Sequence, residues 1–459
     1  MTTDTQQPAV AVIGGGISGL TTAFLLRKKG LEVTVFEKKG YPGGVIKSIR
    51  NQGWLVEWGP NTIMAKSEQL WELIKELDLT EHVVETGKEA AKRYIVKNGR
   101  PEPLPTSVGG FLRTPLLSLK GKLRIFREPF IPKSRQPESI ADFFERRLGR
   151  EVRDYAVNPF VAGIYAGDPR QLSIRHTLSR VYELEQQFGS IFKGAVKSSR
   201  RSKSNSSVRR PGLISFKRGL QELPNQLVKQ LDSSIRFGSA ATAVTRKDRT
   251  WAVTVNDEET HAFDSIIFTA PLHQLDALTF NVEKPGLIDH LESLRYAPIA
   301  TVSLGFKREQ VSHPLDGFGM LVPDAEPFNI LGCLFSSSLF RNRAPEEHVL
   351  LTCFIGGERH PGHVALPNPK IKEMVTDDLG QLLGCTGQPQ FESLHRWNRA
   401  IPQYGLDHQS YLDAMDELEE CNRGLYLTGN FRYEVSVPGC ISGAYETADR
   451  AASFLQSNT

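Results

Sequence analysis

The chain has 459 residues and a net charge of +4, with 39% hydrophobic and 24% charged residues. These values are typical of a globular protein of two or three domains, and they argue against nucleic acid as a partner. The five cysteines are scattered without C-x-x-C spacing, which indicates a reducing compartment and no metal site. They are Cys333, Cys353, Cys385, Cys421 and Cys440.

The first residues show neither the basic nor the apolar region of a secretory signal, and no apolar run reaches 18 residues. We therefore expect no signal peptide and no transmembrane helix. The expected location is the cytoplasm, or the cytoplasmic face of a membrane as a peripheral protein.

The start of the chain predicts a βαβ unit. Residues 10–13 favour a buried strand, 20–29 an amphipathic helix, and 31–37 a second strand that ends in an acid. Gly14, Gly16 and Gly19 lie between the first strand and the helix in the spacing G-x-G-x-x-G.

This arrangement is typical of a dinucleotide site. The first glycine allows a tight turn, the second lets the backbone approach a pyrophosphate, and the third lets helix and strand pack closely. The pyrophosphate then lies at the positive end of the helix. Glu37 lies 18 residues after Gly19, where it can accept hydrogen bonds from a ribose hydroxyl.

Further along the chain, periodicity predicts elements of both kinds. Residues 67–79 favour a helix with Ser67 as its N-cap, and Asn98-Gly99 favours a hairpin between 93–97 and 99–105. Other segments are assigned by the same periodicity: helices opening at 215–223 and over 368–384 and 441–455, and strands within 234–270, 296–358 and 424–430.

Residues 107–195 combine short helical pieces with basic and apolar side chains, for example Phe111 beside Arg113 and Phe126 beside Arg127. Two interpretations stay open: a surface that contacts a membrane, or an ordinary helical domain with solvated charges. Residues 193–210 hold seven basic residues and no acid, which favours a solvated loop that adds attraction to anionic lipid.

Three later signals favour FAD over NAD as the dinucleotide. Gly43-Gly44 and residues 59–62 provide turns at which the backbone can lie close to the cofactor. Residues 429–439 add a glycine turn and the start of a helix near the end of the chain. No second G-x-G-x-x-G unit for a nicotinamide follows. We therefore expect an external electron acceptor, such as oxygen or a quinone.

Residues 158–174 (NPFVAGIYAGDPRQLSI), here termed the signature segment, resemble the signature of the protoporphyrinogen oxidases. Residues 58–62, 296–300 and 317–323 resemble other segments of that family, so the likeness spans nearly the whole chain. Two segments depart from it. Residues 41–44 (YPGG) stand where many relatives have Arg-x-Gly-Gly, and 437–440 (VPGC) where relatives often have Val-Asn-Asp-Cys.

The resemblance implies a set of cofactor and substrate residues. Arg93 would orient a propionate of the substrate, although as a residue pattern alone it reads as a solvated strand-end arginine. Phe318, Leu321 and Phe354 would wall the substrate cavity or, in the alternative, belong to the ordinary core. The FAD contacts implied are Gly14, Gly15, Gly16, Ile17, Ser18, Gly19, Glu37, Lys38, Gly44, Val45, Gly59, Pro60, Asn61, Thr62, Val244 through its backbone, Asn430, Val435, Ser436 and Val437.

The resemblance also implies an α/β and α+β fold: a Rossmann-type (GR2-like) FAD-binding domain, a mixed-sheet substrate domain, and a helical insertion that contacts a membrane in one interpretation. The FAD-binding parts are placed at 1–65, 211–295 and 396–459. The substrate parts are placed at 66–106 and 296–395, and the insertion at 107–210.

The implied reaction is a six-electron oxidation of protoporphyrinogen IX to protoporphyrin IX, with FAD as hydride acceptor and molecular oxygen reduced to peroxide. No catalytic side chain is expected, because the flavin carries the chemistry. Oxidation of coproporphyrinogen III is the alternative within the family, and an amine oxidase is a more distant one. The sequence leaves open a homodimer, the physiological electron acceptor and the strength of membrane attachment.

Overall fold

The computed structural model describes residues 7–202 and 212–457. Its first sheet is parallel throughout, which confirms the predicted βαβ unit. Side chains of the first strand alternate between the two faces: Val10 and Val12 pack on helices, while Ala11 and Ile13 pack on a second sheet. In spatial order the strands are Ile235–Phe237, Glu32–Glu37, Ala9–Ile13, Ser265–Phe268 and Leu425–Leu427.

Four helices share the first apolar core with this sheet, and all present buried leucine, isoleucine or alanine side chains to it. They are Ile17–Lys28, Glu68–Glu76, Glu222–Leu231 and Val437–Ser457. On the other face lies a four-stranded sheet of Glu259–Phe263, Thr250–Val255, Ala241–Lys247 and Thr279–Asn281, with the helices Gly286–Glu292 and His408–Cys421 beside it.

A mixed sheet of seven strands forms the second large unit. In spatial order its strands are Phe391–Pro402, Tyr296–Lys307, His348–Gly356, Ile330–Phe335, Gly317–Leu321, Lys92–Lys97 and Arg100–Pro103. One face is closed by the helix Asn368–Leu383, whose Ile371, Val375 and Leu379 are fully buried. The opposite face carries the candidate substrate residues. The strand Phe391–Pro402 continues across position 396, where the sequence analysis placed a domain boundary.

Residues 107–202 are helical. The α-helices are Val108–Arg113, Leu119–Ile125, Ile140–Leu148, Arg150–Val152, Asn158–Tyr165, Ile174–Thr177, Ser179–Phe188 and Ile191–Ser202, with a π-helical turn at Arg153–Val157. Fully buried Arg147 donates to the carboxylates of Glu128 and Glu185, which ties three of these segments together. Buried charges are tolerated here because each carboxylate faces a guanidinium donor.

The remaining elements are short. Two small sheets pair Ser48–Asn51 with Trp54–Glu57, and Leu213–Phe216 with Ile63–Met64 and Val83–Glu85. The helix Ser336–Leu339 and eight 3-10 turns complete the described chain; the turns are Thr80–His82, Lys88–Ala91, Glu128–Phe130, Asp232–Ser234, Leu272–Ala277, Arg308–Gln310, Arg341–Arg343 and Pro361–Ala365.

Several local predictions are confirmed, and two are wrong. Ser67 caps the helix that follows it, and both Asn98 and Gly99 have positive φ, as a type I′ hairpin requires. Ser215 begins no helix: it lies in a strand whose buried face packs into the first core. Residues 193–202 are helical and not a loop, and residues 203–210 lie outside the described residues.

Across residues 7–202 and 212–457, no helix combines the length and the apolar character that crossing a bilayer requires.

Candidate functional site

The turn after the first strand is built for close backbone approach. Gly14 has φ of +111°; its N–H donates to Phe36 O at 2.9 Å, and its carbonyl accepts from Thr269 Oγ1 at 3.0 Å. A β-carbon at Gly19 would lie 2.0 Å from Gly14 O, so only glycine lets the helix start this close to the strand. At Gly16 a β-carbon would meet nothing within 4 Å, so the backbone there faces open space.

The N-terminus of the helix Ile17–Lys28 is left free for an anion. Gly16 is its N-cap, no side chain caps the helix, and no acidic residue lies in its first turn. Main-chain N–H groups and the helix dipole therefore present partial positive charge to the open space beside Gly16. A pyrophosphate fits this cradle.

Glu37 lies beside the same turn. Its side chain is buried, with Oε2 accepting from Gly15 N–H at 2.7 Å and Oε1 from Lys39 N–H at 2.8 Å. A β-carbon at Gly15 would lie 3.0 Å from this side chain. The carboxylate keeps further acceptor positions, which suit ribose hydroxyls. Lys38, the next residue, is exposed.

A second loop approaches the turn. Gly43 N–H donates to Gly15 O at 2.8 Å, and a β-carbon at Gly44 would lie 3.3 Å from Gly16 Cα. Gly59 also approaches this loop closely, because a β-carbon at position 59 would lie 2.1 Å from the carbonyl oxygen of Val45. The structure thus brings residues 43–45 and 59–62 to the turn, although they are distant in sequence.

The end of the chain returns to the same place. The helix Val437–Ser457 packs against Ile17–Lys28, and the buried Cys440 lies close to Ser18 near the start of that helix. Ser436 Oγ accepts from Gly439 N–H at 3.0 Å, which shapes the helix start after Val435. The N-terminal ends of the two helices therefore lie next to each other.

For two further predicted cofactor positions, the structure shows contacts with other parts of the protein. Asn430 uses its carbonyl to accept the hydroxyl of buried Tyr404. The Val244 side chain is fully buried in the second core, and its strand pairs with Val253 and Phe280. The side chain of Val244 is therefore not available to a cofactor.

The predicted substrate residues share one face of the seven-stranded sheet. Leu321 pairs with Gly332, and Gly332 pairs with Phe354, so their side chains project from the same side. The Arg93 guanidinium lies 5.4 Å from the centre of the Phe318 ring, in cation–π contact. Arg93 is exposed and has no carboxylate partner among the described residues, so its charge is free for an anionic ligand.

The same face continues to an aromatic group that the sequence analysis missed, formed by Trp58, His395 and Trp397. Thr301 pairs with both Phe354 and His395, which places them in one row. The His395 ring stacks on Trp58 at 4.2 Å, and Trp397 donates its indole N–H to Trp58 O at 3.0 Å. The alternation of aromatic rings at 395 and 397 in a strand was the available signal.

Two lysines place positive charge beside this aromatic group and the neighbouring Tyr41. Lys39 Nζ lies 5.4 Å from the Trp397 ring centre, and Lys47 Nζ lies 4.3 Å from the ring centre of Tyr41. Burial lowers the pKa of His395, and the Lys39 ammonium lowers it further. Tyr41, which stands where relatives have arginine, is therefore flanked by cations.

Comparisons with known proteins identify the family and support the fold. The family model for flavin containing amine oxidoreductase matches residues 17–454. Mitochondrial protoporphyrinogen oxidase of Nicotiana tabacum is 36% identical over 98% of this chain and 95% of its own length. Coproporphyrinogen III oxidase of Bacillus subtilis (strain 168) is 29% identical over 97% of this chain and 98% of its own. A crystal structure from Exiguobacterium sp. 255-15 superposes with a TM-score of 0.82 at 24% identity, covering 97% of this chain and 99% of that one.

Proposed function

Because the chain belongs to the protoporphyrinogen oxidase family of flavin-containing amine oxidoreductases, we propose that it oxidises protoporphyrinogen IX to protoporphyrin IX with oxygen as the acceptor. The protein is an FAD-dependent oxidoreductase. The observation that supports this substrate most strongly is the sheet face that joins an unpaired cation, Arg93, to the apolar side chains of Phe318, Leu321 and Phe354.

The described residues fit FAD. The open helix N-terminus after Gly16 would hold the pyrophosphate, and Glu37 would accept from the ribose of the adenosine. Residues 44–45, 59–62 and 435–437 would surround the rest of the cofactor. When bound, FAD supplies the two-electron acceptor that the amino acids themselves lack.

The protein's own part is binding and orientation. The guanidinium of Arg93 would hold a propionate with paired N–H donors, since its planar fork matches a carboxylate. Leu321 and Phe354 would shield the macrocycle from water on one face.

Coproporphyrinogen III is the second candidate substrate, and one observation favours it. The sheet face carries cations at both ends, with Arg93 at one and Lys39 beside Trp397 at the other. Four propionates would use more cations than two. The Bacillus subtilis relative, which is named coproporphyrinogen III oxidase, also supports this alternative.

One experiment separates the candidates: turnover of protoporphyrinogen IX and coproporphyrinogen III side by side, read by porphyrin fluorescence, oxygen uptake and peroxide formation. A higher kcat/KM for protoporphyrinogen IX, with oxygen consumed, is the expected result. A preference for coproporphyrinogen III would move the chain to the second candidate. Porphyrin formed without oxygen uptake would identify another acceptor, and turnover of neither substrate by the FAD-bound protein would contradict the proposal.

We also propose that the helical region contacts an anionic membrane surface from the cytoplasmic side. Val108, Leu119 and Phe130 expose 79%, 74% and 84% of their surface, next to exposed basic residues such as Lys120 and Arg127. Apolar side chains beside cations are the pattern of an interfacial surface. The division of the chain into three domains and a homodimer stay predictions.

Co-sedimentation with vesicles tests this contact. Vesicles of phosphatidylcholine with phosphatidylglycerol should bind the protein, and pure phosphatidylcholine should bind it less. The double variant Leu119→Ser, Phe130→Ser should lose binding, whereas Leu406→Ser, which changes a half-exposed leucine elsewhere, should keep it. Equal sedimentation of wild type and double variant would contradict the proposal.

A further inference from the structure

The signature segment, residues 158–174, lies against the substrate face through its helix Asn158–Tyr165. A β-carbon at Gly163 would lie only 2.4 Å from Leu321 Cδ2, so the helix backbone rests directly on that side chain. Ala162 and Ala166 are buried in a cluster with Phe354. The helix therefore backs two side chains of the proposed substrate cavity.

A hydrogen bond from Arg359 holds the N-terminal end of this helix in place. Asn158 Oδ1 accepts from Arg359 Nη2 at 3.0 Å and from Asp324 N–H at 2.9 Å. Arg359 Nη1 donates to Val322 O at 2.9 Å, and only 8% of the Arg359 side chain is exposed. Residues 322–324 directly follow the strand that ends at Leu321. One buried guanidinium thus joins the helix to the end of the substrate strand.

The C-terminal end of the signature segment is joined to the loop of residues 428–436, which carries the predicted cofactor residues Asn430, Val435 and Ser436 and is here termed the cofactor loop. Leu172 forms an antiparallel bridge with Gly405, and Ser173 N–H donates to Tyr404 O at 2.8 Å. The side chain of Tyr404, which is almost fully buried, donates its hydroxyl to the carbonyl of Asn430. Tyr404 therefore contacts the signature segment with its backbone and the cofactor loop with its side chain.

We propose that the signature segment acts as a brace: it fixes the position of Leu321 and Phe354, the proposed substrate wall, relative to the cofactor loop. Arg359 and Tyr404 are the positioning residues at its two ends. The substrate part of this inference rests on the proposed function. Because the two locks lie at opposite ends of one segment, they predict separable defects: loss of Arg359 displaces the substrate wall, and loss of the Tyr404 hydroxyl loosens the cofactor loop.

The first arm of the test is Arg359→Met. It leaves Asn158 Oδ1 and Val322 O without their charged donor, and we expect KM for the porphyrinogen to rise about tenfold while kcat and FAD release change less than about twofold. Arg359→Lys keeps the charge and one donor and should restore part of the affinity. The matched control is Arg170→Met, because the Arg170 side chain approaches Asp324 from the surface and is 69% exposed.

An unchanged KM in Arg359→Met, or an equal rise in Arg170→Met, would overturn this arm, as would a lower melting temperature without any KM effect. If Arg359→Met yields no soluble protein, Asn158→Ala takes its place. That variant keeps the bond from Arg359 to Val322 and must reproduce the rise in KM.

The second arm is Tyr404→Phe, read by the release of FAD fluorescence when the holoenzyme is diluted. We expect FAD to dissociate about fivefold faster, since one hydrogen bond to the cofactor loop is lost, with a shift in the flavin absorption spectrum and an unchanged KM. Tyr94→Phe is the matched control: Tyr94 lies in the seven-stranded sheet, and its buried hydroxyl donates to Asp316 Oδ1 at 2.5 Å. Equal FAD release in both variants would overturn the proposal at this end.

Failure of the proposed function and failure of the brace are distinguishable. If the wild type turns over neither porphyrinogen, the function is wrong, and the FAD release of Tyr404→Phe compared with Tyr94→Phe still decides whether the segment supports the cofactor loop. If the wild type turns over its substrate but both variants behave like their controls, the brace is wrong and the function stands.

Discussion

The dinucleotide turn and the substrate face are assembled in different ways. The turn draws its glycines and its acid from residues 14–37, and its partners are joined by one short helix. The proposed substrate face takes Arg93, Leu321 and Phe354 from three separate strands of a mixed sheet. Local chain geometry builds the first site, whereas strand register builds the second, so the two should respond differently to substitution.

The largest expected effect is at Gly19, where the turn has no space. In Gly19→Ala the new β-carbon would meet Gly14 O, a backbone atom that no side-chain rotation can move. We expect a loss of about 1–3 kcal/mol in the free energy of unfolding, together with loss of bound FAD, measured by flavin absorbance per chain and by urea unfolding.

Gly16→Ala is the control for that variant, because a β-carbon there meets no protein atom. Its free energy of unfolding should stay near that of the wild type, while FAD affinity falls, since the added methyl group occupies the space that faces the open helix end. Normal FAD content in both variants would refute the assignment of this turn as the cofactor site.

The next effect in size is at Arg93, and it should leave the cofactor untouched. Arg93→Ala removes the charged donor for a propionate, worth about 1.5–3 kcal/mol, so KM should rise about 10- to 100-fold with FAD still bound. Lys92→Ala, which removes the neighbouring cation that pairs with Asp316, should change KM little. Loss of FAD in Arg93→Ala, or an unchanged KM, would show that the substrate face is elsewhere.

A smaller and pH-dependent effect is expected at His408, whose ring centre lies 4.3 Å from that of Tyr404. Burial, and then nearby His176, lowers the pKa of His408 to about 3. The folded protein therefore keeps this imidazole neutral, whereas the unfolded chain binds a proton below about pH 6.5. The stabilising contribution is complete above that pH and is lost as the pH falls towards 3.

Urea unfolding at several pH values measures this contribution. Between about pH 6 and pH 4 the free energy of unfolding of the wild type should fall by up to about 1.4 kcal/mol per pH unit more than that of His408→Gln. The variant has no titrating side chain at position 408. Parallel stability curves for the two proteins would show that His408 is protonated as easily in the folded state as in the unfolded chain.

The smallest effect is expected at Ser67, far from either site's chemistry. Its hydroxyl accepts from Leu70 N–H at 3.3 Å and caps the helix Glu68–Glu76. Ser67→Ala should cost about 1 kcal/mol of stability, and Ser67→Asp should restore it. FAD content and KM should not change; a change in either would mean that this helix supports the site more directly than its contacts indicate.

Prediction from sequence succeeded where neighbouring residues decide the outcome. The N-cap at Ser67 and the hairpin at Asn98-Gly99 depend on contacts within three or four residues, and both are confirmed. It failed at Ser215, where the choice between helix and strand depends on pairing with residues 63–64 and 83–85, far away in the chain. It also gave no indication of Arg359, whose partners lie up to 201 residues away.

By itself the sequence determined the dinucleotide turn and the acid that follows it, because glycine spacing restricts the backbone directly. The resemblance of residues 158–174 to one family added the candidate reaction. Only the tertiary structure decided which side chains share one face of the seven-stranded sheet and which distant residues the signature segment contacts. Strand register and buried hydrogen bonds depend on the packing of distant segments, and a linear pattern of residues does not contain that information.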